Sequence, residues 1–317
     1  METRKYTAAD IESIASKVLG KTTDGKTMMR YETPDAIDPT LLVGIPRYLN
    51  REQYDIQDDN LPFVGVDAWN GYEFSCLLNN GFPVSGWLKW VYSASSENIV
   101  ESKSIKLYLN SFNMAKMGNT VEEAQFNVER QIYQDLEPVL RGMNSESDLR
   151  VFLHLDESMG SPSPFYGTFT QLEECVPVET LSFNRYNEDP TILDVVYNER
   201  YVDRYQSKSL RSNCRVTNQP DWGDIFIYIK GEKTITPESL LEYIVSMRKE
   251  NHFHEEICEC VYKRLHDLLS PEELMVGCLY TRRGGIDINP VRASSLKLLG
   301  IHPITTAGCA ARKTQRQ

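Results

Sequence analysis

The sequence lacks the features that mark nucleic-acid-binding and membrane proteins. Its net charge of −11 leaves no excess of basic residues for the broad basic face that a general nucleic-acid binder normally presents. No apolar run approaches the roughly 18 residues of a membrane-spanning helix. The first residues, METRKYTAADIES, have no apolar core of a signal peptide. We therefore expect no direct nucleic-acid partner, no membrane insertion and a cytoplasmic location.

Cysteines are few, and their spacing has no framework pattern. The odd count of seven fits a reducing compartment better than a disulfide scaffold. The hydrophobic fraction of 41%, with 25% charged residues, is typical of a soluble globular protein that buries a full core. At 317 residues the chain has room for one large domain or for two of about 150 residues.

The common nucleotide-binding patterns do not fit their surroundings. There is no G-x-G-x-x-G, so a Rossmann dinucleotide site is not indicated. GKTTDGKT, from Gly20 to Thr27, does match the P-loop pattern. A working P-loop, however, lies between a buried strand and a helix whose N-terminus faces the phosphates. Here a predicted helix, Ala8–Leu19, precedes the stretch, and Pro34 and Pro39 interrupt any substantial helix after it.

Hydrophobic periodicity predicts a mixed chain of strands and helices. The predicted strands are Trp87–Tyr92, Ile225–Lys230 and Leu274–Tyr280, and the predicted helical segments are Thr120–Leu136 and Pro237–Leu269. Residues 21–61 have an irregular pattern, and so do residues 157–207, whose prolines predict a linker or excursion rather than core. We therefore divide the chain into an N-terminal module (1–156), this linker (157–207) and a C-terminal module (208–317).

The two halves of the sequence resemble each other. SCLLNNGFPVSG, from Ser75, aligns without gaps to SNCRVTNQPDWG, from Ser212, and SIKLYLNSF, from Ser104, aligns to SLLEYIVSM, from Ser239. The offsets are 137 and 135 residues, and in both halves a long helical segment and then a strand-like run follow. Internal similarity in a constant order predicts a duplicated domain.

Each half of this repeat holds polar residues that the other lacks. The second half has Cys214 and Asp221 where the first has Leu77 and Val84, and the first half has Glu101-Ser102-Lys103 where the second does not. Two complementary half-sites that form one site between the modules would explain this pattern. Sequence drift in a purely structural repeat would explain it as well.

The stretch RSNCRVTNQPDWGD poses the main chemical question. A reactive cysteine needs a proton donor near its electrophile, and a turn at 218–220 could bring Asp221 back to Cys214. A buried structural cysteine followed by an ordinary turn is the alternative.

Two other stretches have the residues for ligand recognition. Glu101 and Glu255 could each accept two parallel N–H bonds from a planar purine-like edge, although a solvated charged turn has the same composition. In YTRRGGIDINP, Arg283 and Gly284 suit phosphate binding, although a simple basic turn fits this stretch equally well.

NHFHEEICEC resembles a zinc site in composition. It supplies His252, His254, Cys258 and Cys260, but a zinc site needs three or four ligands that converge. Neighbours two apart on a helix point to different sides, so we expect packed cysteines and histidines with other partners.

Together these stretches resemble a known enzyme family. SNCRVTNQPDWG, VESKSIKLYLNSF, NHFHEE and YTRRGGIDINP are similar to motifs of the NADPH-dependent 7-cyano-7-deazaguanine reductases, in the long two-module branch. The resemblance implies an α+β fold of tandem tunnelling-fold (T-fold) modules, with antiparallel sheets and paired helices. It also implies a homodimer and the reduction of a nitrile to 7-aminomethyl-7-deazaguanine in queuosine biosynthesis.

The resemblance also implies residue roles. Cys214 is the expected nucleophile, forming a covalent thioimide, and Asp221 the expected proton donor. The expected substrate-binding residues are Val100, Glu101, Ser102, His254 and Glu255, and the expected NADPH contacts are Ser102, Lys103, Arg283 and Gly284. A non-catalytic purine-binding T-fold protein and a zinc-dependent T-fold hydrolase are the alternatives.

Three residues depart from the family pattern. Arg215 stands where an aliphatic residue is usual, Asp224 where a small residue is usual, and Val291 where tryptophan is common. All residues with an expected chemical role are present.

Overall fold

The computed structural model describes residues 36–141, 147–155, 168–178, 181–199, 201–216 and 219–300. The predicted helix Ala8–Leu19, the P-loop-like stretch and the C-terminal tail lie outside these residues. The strands are β1 (Gly44–Pro46), β2 (Val64–Leu77), β3 (Pro83–Ser93), β4 (Asn98–Val100), β5 (Arg150–His154), β6 (Thr170–Gln171), β7 (Val195–Tyr197), β8 (Val202–Asn213), β9 (Pro220–Lys230), β10 (Lys233–Ile235), β11 (Glu273–Tyr280) and β12 (Ile286–Ala293). The α-helices are α1 (Tyr48–Arg51), α2 (Ser102–Asn110), α3 (Val121–Arg141), α4 (Leu172–Cys175), α5 (Pro237–Ser246), α6 (His254–Leu269) and α7 (Leu296–Gly300). The 3-10 turns are Pro39–Leu41, Glu52–Tyr54, Pro190–Ile192 and Met247–Lys249.

The chain forms two compact units. Of the described residues, the N-terminal unit contains 36–53, 70–141, 147–155 and 284–286, and the C-terminal unit contains 54–69, 168–178, 181–199, 201–216, 219–283 and 287–300. Both units combine helices with mainly antiparallel strands, as the sequence predicts for an α+β protein.

In the N-terminal unit, the strand order is β5-β3-β2, and β1 pairs with β4 in a separate ladder. Helix α3 buries one apolar stripe at helical spacing, formed by Ala124, Val128, Ile132, Leu136 and Leu140. This helix continues through Pro138 to Arg141, beyond the predicted end at Leu136.

In the C-terminal unit, the strand order is β12-β11-β9-β8-β6, and β7 pairs with β10. The predicted helical segment Pro237–Leu269 is two helices, α5 and α6, separated by the 3-10 turn Met247–Lys249. Thr236 caps α5 by accepting a hydrogen bond from the backbone N–H of Ser239.

The two units repeat the same order of elements. A 3-10 turn, a short strand, a hairpin, a second short strand, two helices and a further strand occur in both. The repeat begins earlier than the hairpin alignment indicated, because Asp38 in DPTLL and Asp189 in DPTIL cap equivalent 3-10 turns. Each aspartate accepts hydrogen bonds from the N–H and the hydroxyl of its following threonine, at 3.0 and 2.6 Å in both units.

The segment 157–207, predicted to be a linker or excursion, contains short elements in its described part. Its described part contains the turn Pro190–Ile192, β7 and the first half of β8, and it belongs to the C-terminal unit. Leu172 is fully buried, and Val176 and Ile192 are buried as well. Of the prolines described in this segment, Pro190 begins a 3-10 turn and Pro177 lies two residues after α4.

Among the described helices, none is long and apolar enough to cross a membrane.

The core of the C-terminal unit contains a buried charge cluster. The Arg292 guanidinium on β12 lies 2.9 Å from Asp67 and 2.9 Å from Glu259, and the arginine and Asp67 side chains are fully buried. Two carboxylates and one cation therefore share a region without solvent.

We expect Arg292→Leu to reduce the free energy of unfolding by about 3–5 kcal/mol, because it removes the buried cation that pairs with two buried carboxylates. Urea unfolding measures this loss. Arg141→Leu, which removes a surface pair with Glu137, should cost less than about 1 kcal/mol. If the two variants were equally stable, the buried cluster would not be the structural element that this geometry indicates.

Candidate active site

The β8–β9 hairpin brings the predicted nucleophile and acid together. Ser212 lies opposite Asp221 in the antiparallel register, and Asn213 lies opposite Pro220. The same register continues for one more residue, because the N–H of Cys214 donates to the carbonyl oxygen of Gln219 at 2.8 Å. Cys214 and Asp221 are therefore diagonal neighbours on one face of the hairpin, since side chains alternate along a strand. Both residues are buried.

Asp221 is held by two basic side chains. The Arg283 guanidinium contacts one carboxylate oxygen, and the Nε2 of His254 lies 3.4 Å from the other. Burial raises the pKa of Asp221, but the hydrogen bonds and charges of His254 and Arg283 outweigh it, so the net pKa is below its usual value. At neutral pH this residue is a carboxylate, which can accept a proton before it donates one.

His254 presents one ring nitrogen to a ligand. It is the first residue of α6, and its ring stacks on Tyr280 with centroids 3.8 Å apart and an interplanar angle of 7°. Among the described residues, its Nδ1 and the hydroxyl of Ser212 are buried and have no hydrogen-bond partner. Buried polar atoms normally have a partner, so both atoms fit contacts with a bound polar molecule. Glu255 follows in the first turn of α6 and is buried.

The predicted recognition residues of the N-terminal unit surround the start of α2. Glu101 is the N-cap, and its Oε2 accepts from the N–H groups of Lys103 and Ser104 at 2.9 and 2.7 Å. Its Oε1 has longer contacts, 3.4 Å to the Ser102 hydroxyl and 3.8 Å to the Lys103 ammonium. Glutamate is not a favoured N-cap residue, and the equivalent cap in the other unit, Thr236, needs no carboxylate.

Val100 supports this cap from the preceding strand. It ends β4, is buried, and pairs with Gly44 of β1. The N–H of Glu101 donates to the Val43 carbonyl oxygen at 2.8 Å, which fixes the entry of the chain into α2.

A glycine pair in the N-terminal unit allows close approach to the backbone. Gly284 and Gly285 have φ values of 57° and 79°, in the left-handed region that favours glycine. A Cβ on Gly284 would lie 2.6 Å from the Lys106 ammonium, and a Cβ on Gly285 would lie 2.5 Å from the Glu73 carboxyl carbon. These four residues line an open cleft, and the cation beside a bare backbone fits an anionic group at Gly284. Sequence reasoning missed Lys106, although it lies one helical turn beyond Lys103.

A second charge network in the C-terminal unit includes Arg215, the residue after Cys214. Sequence reasoning missed this network too. His252 Nδ1 is 2.8 Å from Glu256, and its Nε2 is 3.0 Å from Glu250 and 3.1 Å from the Tyr54 hydroxyl. Glu256 also binds the guanidinium of Arg215 at 3.2 Å. The signal was present in NHFHEE, whose first histidine and last glutamate are four residues apart.

Charged partners shift the titration of this network. Burial favours neutral His252, but its hydrogen bonds to Glu250 and Glu256 outweigh burial and the opposing charge of Arg215, and they raise the pKa of His252 to about 9. The hydrogen bond from His252 in turn lowers the pKa of Glu250 to about 2. His252 is therefore a buried cation at neutral pH.

The two cysteines of NHFHEEICEC, the stretch that resembles a zinc site in composition, are buried. Cys258 donates to backbone carbonyl oxygens of Val276 and Pro290, and burial raises the pKa of Cys260 to about 12. In the part of the chain that the structure describes, no three His, Cys, Asp or Glu side chains converge as metal ligands. Cys76 precedes Leu77, the residue that aligns with Cys214 in the repeat. Burial raises the pKa of Cys76 to about 11.

The predicted site residues thus form two groups. In the C-terminal unit, the structure groups Cys214, Asp221, His254 and Arg283, with Glu255 next to His254. In the N-terminal unit, it groups Glu101, Ser102 and Lys103 at the start of α2, directly after Val100. Gly284 lies with Lys106 in the N-terminal unit.

We expect wild-type protein to lose more stability than His252→Gln as pH rises from 7 to about 9.5. The folded pKa of His252, about 9, lies above its ordinary value of 6.5. Its stabilising contribution is therefore complete below the ordinary value and is lost as pH rises through the folded one. The difference between the two proteins should be roughly 2 kcal/mol in urea unfolding. His266→Gln, which removes a partly exposed histidine of α6, should follow wild type; equal pH slopes in all three proteins would contradict a charged His252.

Known proteins resemble this chain in sequence. A family model described as "Nitrile reductase, 7-cyano-7-deazaguanine-reductase N-term" matches residues 33–144, and one described as "QueF-like protein" matches residues 220–297. A protein from Colwellia psychrerythraea named NADPH-dependent 7-cyano-7-deazaguanine reductase is 39% identical over 263 residues, which cover 81% of this chain and 87% of the relative.

A crystal structure of the archaeosine synthase QueF-Like in its apo form is a more distant neighbour. It is 14% identical, covers 31% of this chain and 99% of that chain, and has a TM-score of 0.29. The identification therefore depends on the sequence matches, which confirm the resemblance in the four ordered motifs. This chain belongs to the 7-cyano-7-deazaguanine reductase family of nitrile reductases.

Proposed function

We propose that this protein reduces the nitrile 7-cyano-7-deazaguanine to the primary amine 7-aminomethyl-7-deazaguanine with NADPH, in the biosynthesis of queuosine. One observation carries the proposal most directly. The β8–β9 hairpin holds Cys214 and the carboxylate of Asp221 on one face, whereas the twin β2–β3 hairpin has Leu77 and Val84 at these positions. The name of the relative from Colwellia supports the choice of nitrile and reductant.

Cys214 and Asp221 form the chemical pair. The Cys214 sulfur forms a bond to the nitrile carbon, and its proton passes to the Asp221 carboxylate. Asp221 then gives this proton to the nitrile nitrogen, where negative charge develops, and the product is a covalent thioimide. The lowered pKa of Asp221 in the resting site suits the first transfer, since an ionised acid can take up the thiol proton.

His254 and Arg283 orient the acid during these transfers. Both contact Asp221 directly, and both are donors that stabilise its carboxylate form. The stack of His254 on Tyr280 fixes the ring, so its Nδ1 stays available to the substrate.

Two NADPH molecules, bound in turn, would supply the two hydrides that turn the C=N carbon into a methylene group, and the bond between this carbon and the Cys214 sulfur would break between the two reductions. We assign its contacts to Ser102, Lys103, Arg283 and Gly284. The bare backbone at Gly284 and the cationic side chains fit an anionic cofactor. Arg283 would then contact the cofactor as well as Asp221 and Gln219.

The substrate contacts are assigned to Val100, Glu101, Ser102, His254 and Glu255. The two buried glutamates suit the N–H groups of a deazaguanine edge. A ligand without matching N–H groups would leave a buried carboxylate unpaired, and this cost makes the site selective. Glu101 would use Oε1 for this contact, since its Oε2 already accepts two backbone N–H groups.

We further propose that each unit is a tunnelling-fold module and that the protein acts as a cytoplasmic homodimer. The repeated order of elements in the two units supports a duplicated module. Family membership supports the homodimer, which size-exclusion chromatography with light scattering tests.

The proposed reaction should consume about two NADPH per nitrile, since each of the two reduction steps takes one hydride. Without NADPH, intact-mass analysis should show wild-type protein heavier by the full mass of the nitrile, with the adduct on Cys214. Cys214→Ala should abolish both the NADPH consumption and the mass adduct. Binding of the nitrile without an adduct or turnover would favour the non-catalytic purine-binding alternative, and activity that depends on zinc would favour the hydrolase alternative.

We expect Asp221→Asn to slow adduct formation by about 100-fold or more, because an amide cannot carry the proton from sulfur to nitrogen. Rapid-quench mass analysis at several pH values measures this rate. Asp224→Asn is the matched control: the same substitution three residues later, on the opposite face of β9, should stay within a few-fold of wild type. Equal rates for the two variants would remove Asp221 from the mechanism.

A further inference from the structure

We propose that Arg215 is a positioning residue that, through Glu256, holds the thiol of Cys214 in register with Asp221. The inference deepens the proposed function and rests on it. Arg215 directly follows Cys214 in the chain, and the turn residues after it connect to β9. Its side chain therefore anchors the hairpin on the C-terminal side of the nucleophile.

The Arg215–Glu256 pair is not an ordinary surface ion pair. The Arg215 Nη1 lies 3.2 and 3.3 Å from the two carboxylate oxygens of Glu256. The Glu256 side chain is only 4% exposed and that of Arg215 is 21% exposed, so solvent screens this pair weakly. Loss of the arginine would leave a buried carboxylate with one cation fewer.

Glu256 itself is held from the opposite side. His252 donates to its Oε2 from 2.8 Å, and His252 is fixed by Glu250 and Tyr54. The carboxylate is thus shared between two cations, one before α6 and one beside the nucleophile. This fixes the direction from which Glu256 meets Arg215.

The backbone on the other side of Cys214 is tied to the same segment. The N–H of Asn213 donates to the Glu250 carbonyl oxygen at 2.7 Å, and the N–H of His252 donates to the Asn213 carbonyl oxygen at 3.0 Å. Cys214 is therefore flanked by two attachments to residues 250–256, a backbone one through Asn213 and a side-chain one through Arg215.

The segment 250–256 also carries the residue that contacts the acid. His254 lies between His252 and Glu256 in sequence, and its ring reaches Asp221. One short segment thus holds the nucleophile through Arg215 and contacts the acid through His254. Removal of the Arg215 charge should free the thiol while leaving the acid in place.

A direct electrostatic role for Arg215 predicts a different outcome. A cation that acted on the sulfur itself would favour the thiolate, and its loss would slow every reaction of Cys214. A positioning residue has opposite effects on two reactions. Its loss slows the oriented attack on the nitrile, but it exposes the buried thiol to a small reagent that needs no orientation.

The test compares two rates in full-length protein, with Arg215→Gln, Arg215→Lys and Glu256→Gln. Adduct formation with 7-cyano-7-deazaguanine is followed by intact mass, and alkylation of Cys214 by iodoacetamide is followed by peptide mass. For Arg215→Gln we expect adduct formation about tenfold slower and alkylation several-fold faster. Arg215→Lys should restore most of both rates, and Glu256→Gln should reproduce both changes.

The double variant R215Q/E256Q should form the adduct no more slowly than the slower single variant, because both substitutions break the same Arg215–Glu256 contact. Lys263→Gln, which removes a cation elsewhere on α6, should match wild type in both assays. Wild-type rates in Arg215→Gln, or a decrease in both of its rates, would overturn the proposal. If wild type forms no nitrile adduct, the proposed function fails, while the alkylation rates still decide whether Arg215 holds the thiol.

Discussion

The register between β8 and β9 is the constraint on which the site in the C-terminal unit depends. Ser212 lies opposite Asp221, and the next pair on the same face is Cys214 and Gln219. A slip of one residue would turn the thiol to the opposite face, since the side-chain period of a strand is two. The pairing of β9 with β11 then places Gly223 opposite Tyr280, the residue on which His254 stacks. The positions of the acid and of its histidine follow from the ladder.

Two buried carboxylates of this unit are held in the same way. Asp221 lies between His254 and Arg283, and Glu256 lies between His252 and Arg215. In each case a histidine and an arginine from a strand connection compensate the charge; His254 begins α6, and His252 lies two residues before it. Removal of a carboxylate from water is costly unless it is paired, and both pairings serve this need. Local cations meet it in a chain whose net charge is −11.

Much of this arrangement follows from the sequence, and the remainder depends on contacts between distant segments. Helix α3, the segment of α5 and α6, and parts of β3, β9 and β11 were predicted from helical spacing and strand composition, and the aligned prolines, Pro83 and Pro220, both begin the second strand of a hairpin. The partners of Arg215 could not be predicted, because Glu256 is 41 residues away. The elements within residues 157–207 could not be predicted, because they are short, and short elements carry little periodicity. The similar stretches DPTLL and DPTIL could have predicted that this segment contains a 3-10 turn equivalent to the one at Pro39–Leu41.

The helix caps explain how a duplicated scaffold can carry different chemistry in its two copies. Glu101 and Thr236 both accept backbone N–H groups at the start of a helix. Each also donates its own N–H to the residue just before the paired short strand, Val43 before β1 and Asp194 before β7. The fold requires an acceptor there, and threonine satisfies it. A glutamate meets the same requirement with one oxygen and keeps a second oxygen, Oε1, for another contact. In the hairpins, likewise, the fold requires Pro83 or Pro220 to begin a strand, whereas the residues at 77 and 214 are not set by the backbone. Functional residues could therefore diverge at positions where the scaffold needs only an acceptor or a buried side chain.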